Sequence, residues 1–196
     1  MTRPARQQSR SVATRQGFLE AARAVFGEQG FAEASVAEIV RRAGSSVGSL
    51  YHHFGGKNEL FVAVYDQFDG ELGRRAAAAV AQARVVGETD PRAQFDAGAR
   101  AYLQGCWELR ALARVFVEGD APPGFEALRR RRTQEWVRQN AKLLRVSDRP
   151  VSRAMAAILT SLLGGAGREV VACRNAAEAT ELIDAVVGML GTIPTP

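Results

Sequence analysis

The chain has 196 residues and a formal net charge of +5 at neutral pH; 46% of its residues are apolar and 24% are charged. These values are ordinary for a globular protein, and they exclude a disordered chain, a collagen-like repeat and a coiled rod. The length allows one small domain followed by a larger one, each with its own apolar core.

The N-terminal segment is basic. No acidic residue precedes Glu20, whereas four arginines do: Arg3, Arg6, Arg10 and Arg15. Such a composition is typical of arms that bind phosphates or the DNA minor groove, and a tail that only improves solubility has the same composition, so both interpretations stay open. We interpret residues 1–13 as a basic flexible arm.

The first predicted helix covers residues 14–29. Its apolar residues recur at three- and four-residue spacing, which places them on one helical face: Phe18, Leu19, Ala22 and Phe26. Gly30 follows as a C-cap.

Two short helices come next. Ser35 and Glu38 form a capping box, in which the serine oxygen accepts from the Glu38 amide and the glutamate side chain reaches back to the N-cap. This helix ends at Gly44. A third helix begins at Ser45 or Ser46, and two short helices joined by a glycine-containing turn have the dimensions of a helix-turn-helix.

Six further helices are predicted by the same periodicity and by capping signals, such as Asp90 before Pro91 and the capping box of Asn175 and Glu178. They cover residues 57–86, 90–109, 111–118, 125–145, 150–173 and 176–190. The chain is therefore predicted to be all-α with about nine helices. We expect a DNA-binding domain over 14–56 and a larger helical domain over 57–196.

The helix-turn-helix segment resembles the N-terminal DNA-binding domain of the TetR family of transcriptional regulators. The resemblance covers residues 14–65 and rests on the stretches 30–40 and 43–54, followed by Lys57 and Leu60. Several dispersed positions agree at once, which makes the signal more specific than a single short motif. It implies an N-terminal three-helix DNA-binding domain and a C-terminal ligand-binding and dimerisation domain.

The resemblance implies a set of DNA contacts. Small and hydroxyl side chains at the start of a recognition helix let its backbone approach the base edges, while residues at helix ends bind phosphates. Valine cannot hydrogen-bond a base, so at Val47 we expect contact with a thymine methyl or no readout. The expected DNA-binding residues are Ser35, Arg41, Arg42, Ser45, Ser46, Val47, Gly48, Ser49, Tyr51, His52 and Lys57.

Nothing in the sequence indicates catalysis, a cofactor or a metal site. His52 and His53 are adjacent, so they point about 100° apart on a helix, and the two cysteines are isolated. Nucleophile, Walker and dinucleotide motifs are missing, and for the glycines of 164–167 we expect a close helix crossing. The N-terminus has no apolar signal core and no uninterrupted apolar run approaches about 18 residues. We expect a cytoplasmic protein, not an enzyme, without a membrane partner.

In the family, the last two helices pair with those of a second subunit. The apolar faces of the two last predicted helices are broad enough to form such a homodimer, although some of these residues belong to the core of one subunit. The expected interface residues are Ile158, Leu162, Leu163, Val170, Leu182, Ile183, Val186, Val187 and Leu190.

The family's middle helices enclose a cavity for a small effector. By resemblance, the residues expected to line it are Phe61, Tyr65, Phe68, Tyr102, Cys106, Trp107, Arg110, Phe116, Trp136, Met155 and Leu159. For most of them an ordinary core position explains the pattern better. The run Arg129–Arg132 covers all sides of a helix, so we expect mainly a solvated surface.

The leading hypothesis is a repressor that a small, largely apolar or aromatic effector releases from a near-palindromic operator in double-stranded DNA. A regulator without an effector, or an activator, is the alternative within DNA binding. An all-helical enzyme or small-molecule carrier is a third hypothesis, disfavoured because the sequence shows no catalytic constellation.

Overall fold

The computed structural model describes residues 3–117 and 119–193. Within them the chain forms nine helices and no strand. Their bounds are α1 Arg3–Glu33, α2 Val36–Arg42, α3 Val47–Phe54, α4 Lys57–Val85, α5 Pro91–Glu108, α6 Arg110–Val117, α7 Phe125–Leu143, α8 Pro150–Ala172 and α9 Ala176–Thr192. The all-α prediction and the order of the nine helices are confirmed.

The first helix begins earlier than predicted. The backbone is helical from Arg3, so most of the segment interpreted as a flexible arm extends α1; residues 1 and 2 lie outside the described residues. Gly30 interrupts α1 with φ 75° and ψ 179°, a conformation that a residue with a Cβ adopts only under strain. The predicted break at Gly30 is therefore confirmed.

The predicted N-caps are present. Asp90 accepts from the amides of Arg92 and Ala93 at the start of α5, and Asn175 accepts from the Glu178 amide at the start of α9. These bonds satisfy amide groups that have no partner within the helix. They fix where both helices begin.

The chain divides into two compact units. The first unit comprises Met1–Phe68 and Ala111–Phe125. Its core contains side chains of α1, α2, α3 and α4 that are almost wholly buried: Phe18, Leu19, Val25, Phe26, Ile39, Leu50, Leu60 and Phe61. Because α1 packs against both α2 and α3, the two short helices are held on one scaffold.

The second unit comprises Asp69–Arg110 and Glu126–Pro196. In it α5 packs along α8 and α9, and α8 also packs against α9. A Cβ added at Gly167 of α8 would lie 3.3 Å from the Cys106 Sγ atom and 3.4 Å from the Tyr102 ring of α5. The close helix crossing expected for the glycines of α8 is confirmed at Gly167.

Helix α8 is also long and apolar enough to cross a membrane, if length and composition alone are considered. Its most apolar 18-residue window has a mean hydropathy of 1.3, and 39% of that window is buried within the chain. A core helix of a soluble protein passes the same test, and α8 packs on two neighbouring helices. Its apolar composition therefore has an explanation within the fold.

Gly105 provides a test of packing in the second unit. A Cβ there would lie 2.7 Å from the Leu72 Cδ2 atom, which is buried. We expect Gly105→Ala to lower the free energy of unfolding by about 1–2 kcal/mol in urea denaturation, because overpacking outweighs the gain in helix propensity. The control is Gly70→Ala, whose Cβ would meet only the exposed Arg74 side chain at 3.5 Å and should stabilise by up to about 1 kcal/mol. Equal effects of the two variants would contradict this packing.

Candidate nucleic-acid interface and cavity

The turn between α2 and α3 is tight. Gly44 has φ 59°, and the Ser45 amide donates to the Val40 carbonyl at 3.2 Å. Leu50 of α3 and Ile39 of α2 are fully buried. These contacts fix α3 against α2 and leave the opposite side of α3 to solvent.

The exposed side of α3, which we name the α3 face, consists of Val47, Gly48, Tyr51 and His52. These residues lie at positions i, i+1, i+4 and i+5, which share one side of a helix. Val47 is 48% exposed and Tyr51 is 54% exposed, both high for large side chains inside a helix. The α3 face therefore presents apolar and aromatic surface to solvent without any covering from this chain.

Gly48 lies in the middle of the α3 face. Nothing lies within 4 Å of a Cβ built there, and its φ is not in the left-handed region. Glycine costs about 1 kcal/mol relative to alanine in a helix interior. Neither packing nor backbone conformation explains the glycine, so a partner that approaches the backbone from outside remains as an explanation.

The four predicted serines either cap a helix or are partly buried. Ser35 and Ser46 cap α2 and α3, accepting from the amides of Glu38 at 3.0 Å and Ser49 at 3.2 Å. Both caps are exposed, and each hydroxyl keeps its hydrogen for a further acceptor. Ser45 and Ser49 are half-buried, so they offer less surface than the α3 face.

The capping box at α2 is only half present. The Glu38 carboxylate does not reach back to the N-cap but accepts from Arg41 at 2.7 and 2.8 Å and from Arg42 at 2.6 Å. These hydrogen bonds, first from Arg41 and then from Arg42, hold the pKa of Glu38 at about 2. The guanidinium groups of Arg41 and Arg42, one turn further along α2, compete with the N-cap amide for this carboxylate. The bond from the N-cap amide to Glu38, which would complete the capping box, is therefore absent.

Arg42 also connects α2 to α1. Its two terminal nitrogens each donate to the Glu28 carboxylate at 2.8 Å, and this hydrogen bonding lowers the pKa of Glu28. Every nitrogen of Arg42 donates to a carboxylate, so its charge is compensated within the chain, and two of its five N–H donors are left for the phosphate contact expected there. Arg41 has a side chain that is 71% exposed, and it pairs with Glu38.

Lys57 differs most from its predicted role. Its ammonium group donates to the carbonyls of Phe31, Ala32 and Ala34 at 2.8, 3.1 and 3.0 Å, and it lies 4.5 Å from the centre of the Phe31 ring. A lysine has three N–H donors, so all of them are used within the chain. We therefore interpret Lys57 as a residue that fixes the end of α1 rather than as a phosphate contact.

The two histidines have different surroundings. His52 is exposed on the α3 face, whereas His53 is half-buried, with its ring 6.2 Å from the Phe18 ring. Within residues 3–117 and 119–193, no group of three or more His, Cys, Asp or Glu side chains is arranged to hold a metal ion.

The second unit contains a cavity of about 310 Å³ between α4, α5, α7 and α8. Its lining is Gly73, Ala76, Ala77, Val80, Ala81, Arg84, Phe95, Gly98, Ala99, Tyr102, Thr133, Trp136, Gln139, Asn140, Leu143, Thr160, Leu163 and Gly164. The volume is in the range of small-molecule sites. Tyr102 and Trp136 are the two predicted effector-binding residues that line it, with ring centroids 5.7 Å apart.

The other predicted effector-binding residues lie elsewhere. Phe61, Tyr65 and Phe116 pack with Phe125 in the core of the first unit, at ring-centroid distances of 4.9–6.0 Å, and Phe68 adjoins Phe116. Cys106, Trp107, Arg110, Met155 and Leu159 are not part of the cavity lining. Arg110 lies over the Trp107 ring at 4.1 Å, and burial raises the pKa of the Cys106 thiol to about 12.

The predicted interface residues divide into two groups. Leu163, Val170, Ile183 and Leu190 are buried in the core of the second unit. Leu182, Val186 and Val187 are half-buried, whereas Ile158 and Leu162 are 49% and 36% exposed. Ile158, Leu162, Val186 and Met189 line one shallow groove, which we name the α8–α9 groove. Met189, 48% exposed, was not predicted.

The Arg129–Arg132 run is divided between ion pairs and solvent. Arg129 pairs with Glu126 and Arg132 with Glu135, both at 2.9 Å. Arg130 and Arg131 are exposed. The run therefore lies mainly on the surface, as four consecutive helical residues require.

Replacement of Lys57 tests its structural role. We expect Lys57→Met to lower the free energy of unfolding by about 1–3 kcal/mol, because three carbonyls at the end of α1 lose a charged donor. Urea denaturation measures the change. Lys142, the other lysine, is exposed on α7, so Lys142→Met should change stability by less than about 0.5 kcal/mol. If the two variants were equally stable, the ammonium would not stabilise the end of α1.

Known proteins match the sequence of this chain over part of its length. The A-factor receptor protein of Streptomyces griseus is 38% identical over 61 residues, which are 31% of this chain and 22% of that protein. The transcriptional repressor AcnR of Corynebacterium efficiens is 43% identical over 53 residues, 27% of this chain and 28% of that protein. The chain thus matches less than a third of the length of these two relatives.

Solved structures resemble this chain over nearly its whole length. A TetR-family transcriptional regulator from Pectobacterium atrosepticum has a TM-score of 0.62 and 27% identity, with coverage of 97% of this chain and 94% of that one. A second such regulator, from Shewanella sp. PV-4, shares the fold at 21% identity and a TM-score of 0.68. The match covers 90% of this chain and 95% of that one. Residues 18–64 match the sequence model of the bacterial regulatory proteins of the tetR family. Residues 18–64 therefore form a DNA-binding domain of the TetR family, and the chain as a whole has the fold of TetR-family transcriptional regulators.

Proposed function

We propose that this protein is a homodimeric repressor that binds a near-palindromic operator through the α3 face. The exposed glycine at position 48, which nothing in the chain requires, is the observation that carries the proposal. A recognition helix must bring its backbone close to the base edges of the major groove, and a residue without a Cβ permits that approach. Repression is supported by the description of AcnR, a sequence relative, as a repressor.

The α3 face supplies the proposed base contacts. Val47 has no hydrogen-bonding group, so it would contact the methyl group of a thymine. Tyr51 and His52 lie one turn further along, where their polar groups would bind phosphates. Ser35 and Arg41 at α2 are exposed and add further phosphate contacts, whereas Lys57 and Arg42 serve the fold.

Dimerisation would occur through the α8–α9 groove. Ile158 and Leu162 are four residues apart on α8, and together with Val186 and Met189 of α9 they supply the large apolar side chains of the groove, which Ser161, Arg168 and Glu169 also line. Apolar surface of this kind, exposed in a single chain, is typical of an interface. A two-fold dimer would place two recognition helices about 34 Å apart, which matches one turn of DNA.

The cavity of the second unit is the proposed effector site. Its lining is mostly apolar and includes the rings of Phe95, Tyr102 and Trp136. An effector releases DNA only if it binds the released conformation more tightly than the DNA-bound one. A change of helix packing around the cavity on binding would supply that difference.

Selection of bound duplexes from a random pool tests DNA binding directly. We expect recovery of a near-palindrome that binds about a thousandfold more tightly than random DNA, as specific regulators do. Binding that is weak and equal for all sequences would exclude the proposed operator recognition. A reporter gene placed behind the recovered site then separates repression from activation.

Gly48→Ala separates DNA contact from fold stability. We expect the free energy of unfolding to rise by up to about 1 kcal/mol, since alanine is the better helix former and the Cβ meets no atom of the chain. Affinity for the selected operator should fall by about tenfold or more, because the added methyl group prevents close approach. The control is Gly27→Ala in α1, whose Cβ also meets nothing within 4 Å and which should leave affinity unchanged. Unchanged affinity of Gly48→Ala would refute close backbone approach at this position.

Ile158→Glu tests the α8–α9 groove. The wild-type chain of 21.1 kDa should behave as a dimer of twice that mass in light scattering, and Ile158→Glu as a monomer, because a charge in an apolar interface is costly. Val151→Glu is the control, since Val151 is 60% exposed on the same helix but does not line the groove. A dimeric Ile158→Glu variant would place the interface elsewhere.

A further inference from the structure

We propose that the cavity binds an elongated, amphipathic carboxylic acid whose carboxylate pairs with Arg84. This inference rests on the proposed function, in which the cavity holds the effector, and it names the chemical class of that effector. The observations that carry it are the charge, the fixed orientation and the position of Arg84.

Arg84 is the single charged side chain among the described residues that line the cavity. Its Nε atom donates to the Gln94 side-chain oxygen at 2.9 Å. In the part of the chain that the structure describes, no ion pair between Arg84 and an acidic group is found. The terminal nitrogens of this guanidinium group therefore keep their donors for a ligand, and a carboxylate accepts two of them in parallel.

Nearby acidic groups are engaged with the backbone. The Glu88 carboxylate accepts from the Asp90 amide at 2.8 Å, and the Asp90 carboxylate accepts from the amides of Arg92 and Ala93 at 3.0 and 3.3 Å. These two carboxylates organise the turn before α5. Neither neutralises Arg84, although both are close to it in sequence.

Arg84 is an exposed residue, and its Nε atom is oriented by the buried amide of Gln94. Gln94 is only 6% exposed, and its nitrogen donates to the Glu88 carbonyl at 2.9 Å, so its oxygen faces Arg84. This chain of two hydrogen bonds restricts a side chain that would otherwise sample many rotamers. A fixed guanidinium group loses less conformational entropy when a ligand binds than a mobile one does.

The shape of the cavity specifies the remainder of the ligand. Gly73 and Arg84 both line it and are eleven residues apart on α4, about 16 Å along the helix axis. Trp136 lies at the Gly73 end, where its ring is 3.7 Å from a Cβ built on that glycine. The cavity therefore extends from a cationic group at one end to aromatic rings at the other.

Three neutral polar side chains of the lining are bonded to the protein. Asn140 donates to the Thr160 hydroxyl at 3.0 Å, which donates to the Ala156 carbonyl at 2.8 Å, and the Trp136 indole donates to Asp69 at 3.0 Å. Groups that are already satisfied do not need a polar partner on the ligand. A volume of 310 Å³ lies at the lower end of the range of small-molecule sites, which suits an organic acid of roughly ten to fifteen non-hydrogen atoms.

The test compares acids with their primary amides, which have the same shape and no charge. Isothermal titration calorimetry at neutral pH measures the dissociation constants of three pairs: decanoate and decanamide, 4-phenylbutyrate and 4-phenylbutanamide, 2-naphthoate and 2-naphthamide. At least one acid should bind the wild-type protein about tenfold or more tightly than its amide. Arg84→Gln should abolish this preference. Arg138→Gln, which changes an exposed arginine of α7 outside the cavity lining, should retain it.

Three results would overturn the inference: equal binding of acid and amide, a preference that survives in Arg84→Gln, or no binding by any of the three acids. Thermal unfolding of both variants without ligand verifies that each is folded. Release of the selected operator is measured separately by fluorescence anisotropy. An acid that binds through Arg84 but leaves the operator bound would support the ligand class and refute effector-driven release.

Discussion

The contact between the Lys57 ammonium group and the end of α1 is the interaction on which the candidate DNA-binding surface depends. Lys57 is the first residue of α4, and the carbonyls of Phe31, Ala32 and Ala34 that it binds directly follow the break of α1 at Gly30. The bond joins two points 26 residues apart and so closes a loop that contains α2 and α3. The bond therefore holds the two ends of this loop together in the folded state, and the short helices gain a fixed frame.

Within that frame, the ion pairs of α2 add a second connection to α1. Arg42 bridges Glu28 of α1 and Glu38 of its own helix, and Leu50 and Ile39 fill the space beneath. A helix of seven or eight residues is unstable in isolation, so α2 and α3 exist because of these tertiary contacts. Rigid anchorage on one side leaves the other side of α3 available for a partner.

The helices could be predicted from the sequence because their signals are local. Apolar periodicity, the caps at Ser35, Asp90 and Asn175, and breaks such as Gly30 depend on residues within one or two turns. Partners of long side chains could not be predicted in the same way. From the sequence, the ammonium group of Lys57 could bind a phosphate or the carbonyls at a helix C-terminus equally well. Only the fold brings the three carbonyls within reach.

The α8–α9 groove and the cavity of the second unit could be predicted from the sequence only in part, for the same reason. Periodicity identifies the apolar residues of α8 but not which neighbouring helix covers them. The buried Leu163 and Val170 therefore could not be distinguished in sequence from the exposed Ile158 and Leu162. For the cavity, large aromatic residues were expected in the lining, whereas small residues of α4 and α5 create the space. A cavity forms where side chains are small. A prediction of the lining that starts from large apolar side chains therefore identifies the densely packed core around Phe61 and Phe116 and misses the cavity.

The pairing of Arg42 has a consequence for the electrostatics of DNA binding. Binding to DNA gains free energy when cationic side chains displace the counterions condensed on the phosphates, and each such side chain makes affinity more dependent on ionic strength. Around α2 and α3, the charges of Arg42 and Lys57 are already compensated by carboxylates and carbonyls. The number of displaced counterions should thus be smaller than the arginine-rich composition suggests, and a larger share of the affinity would come from the shape and bases of the operator.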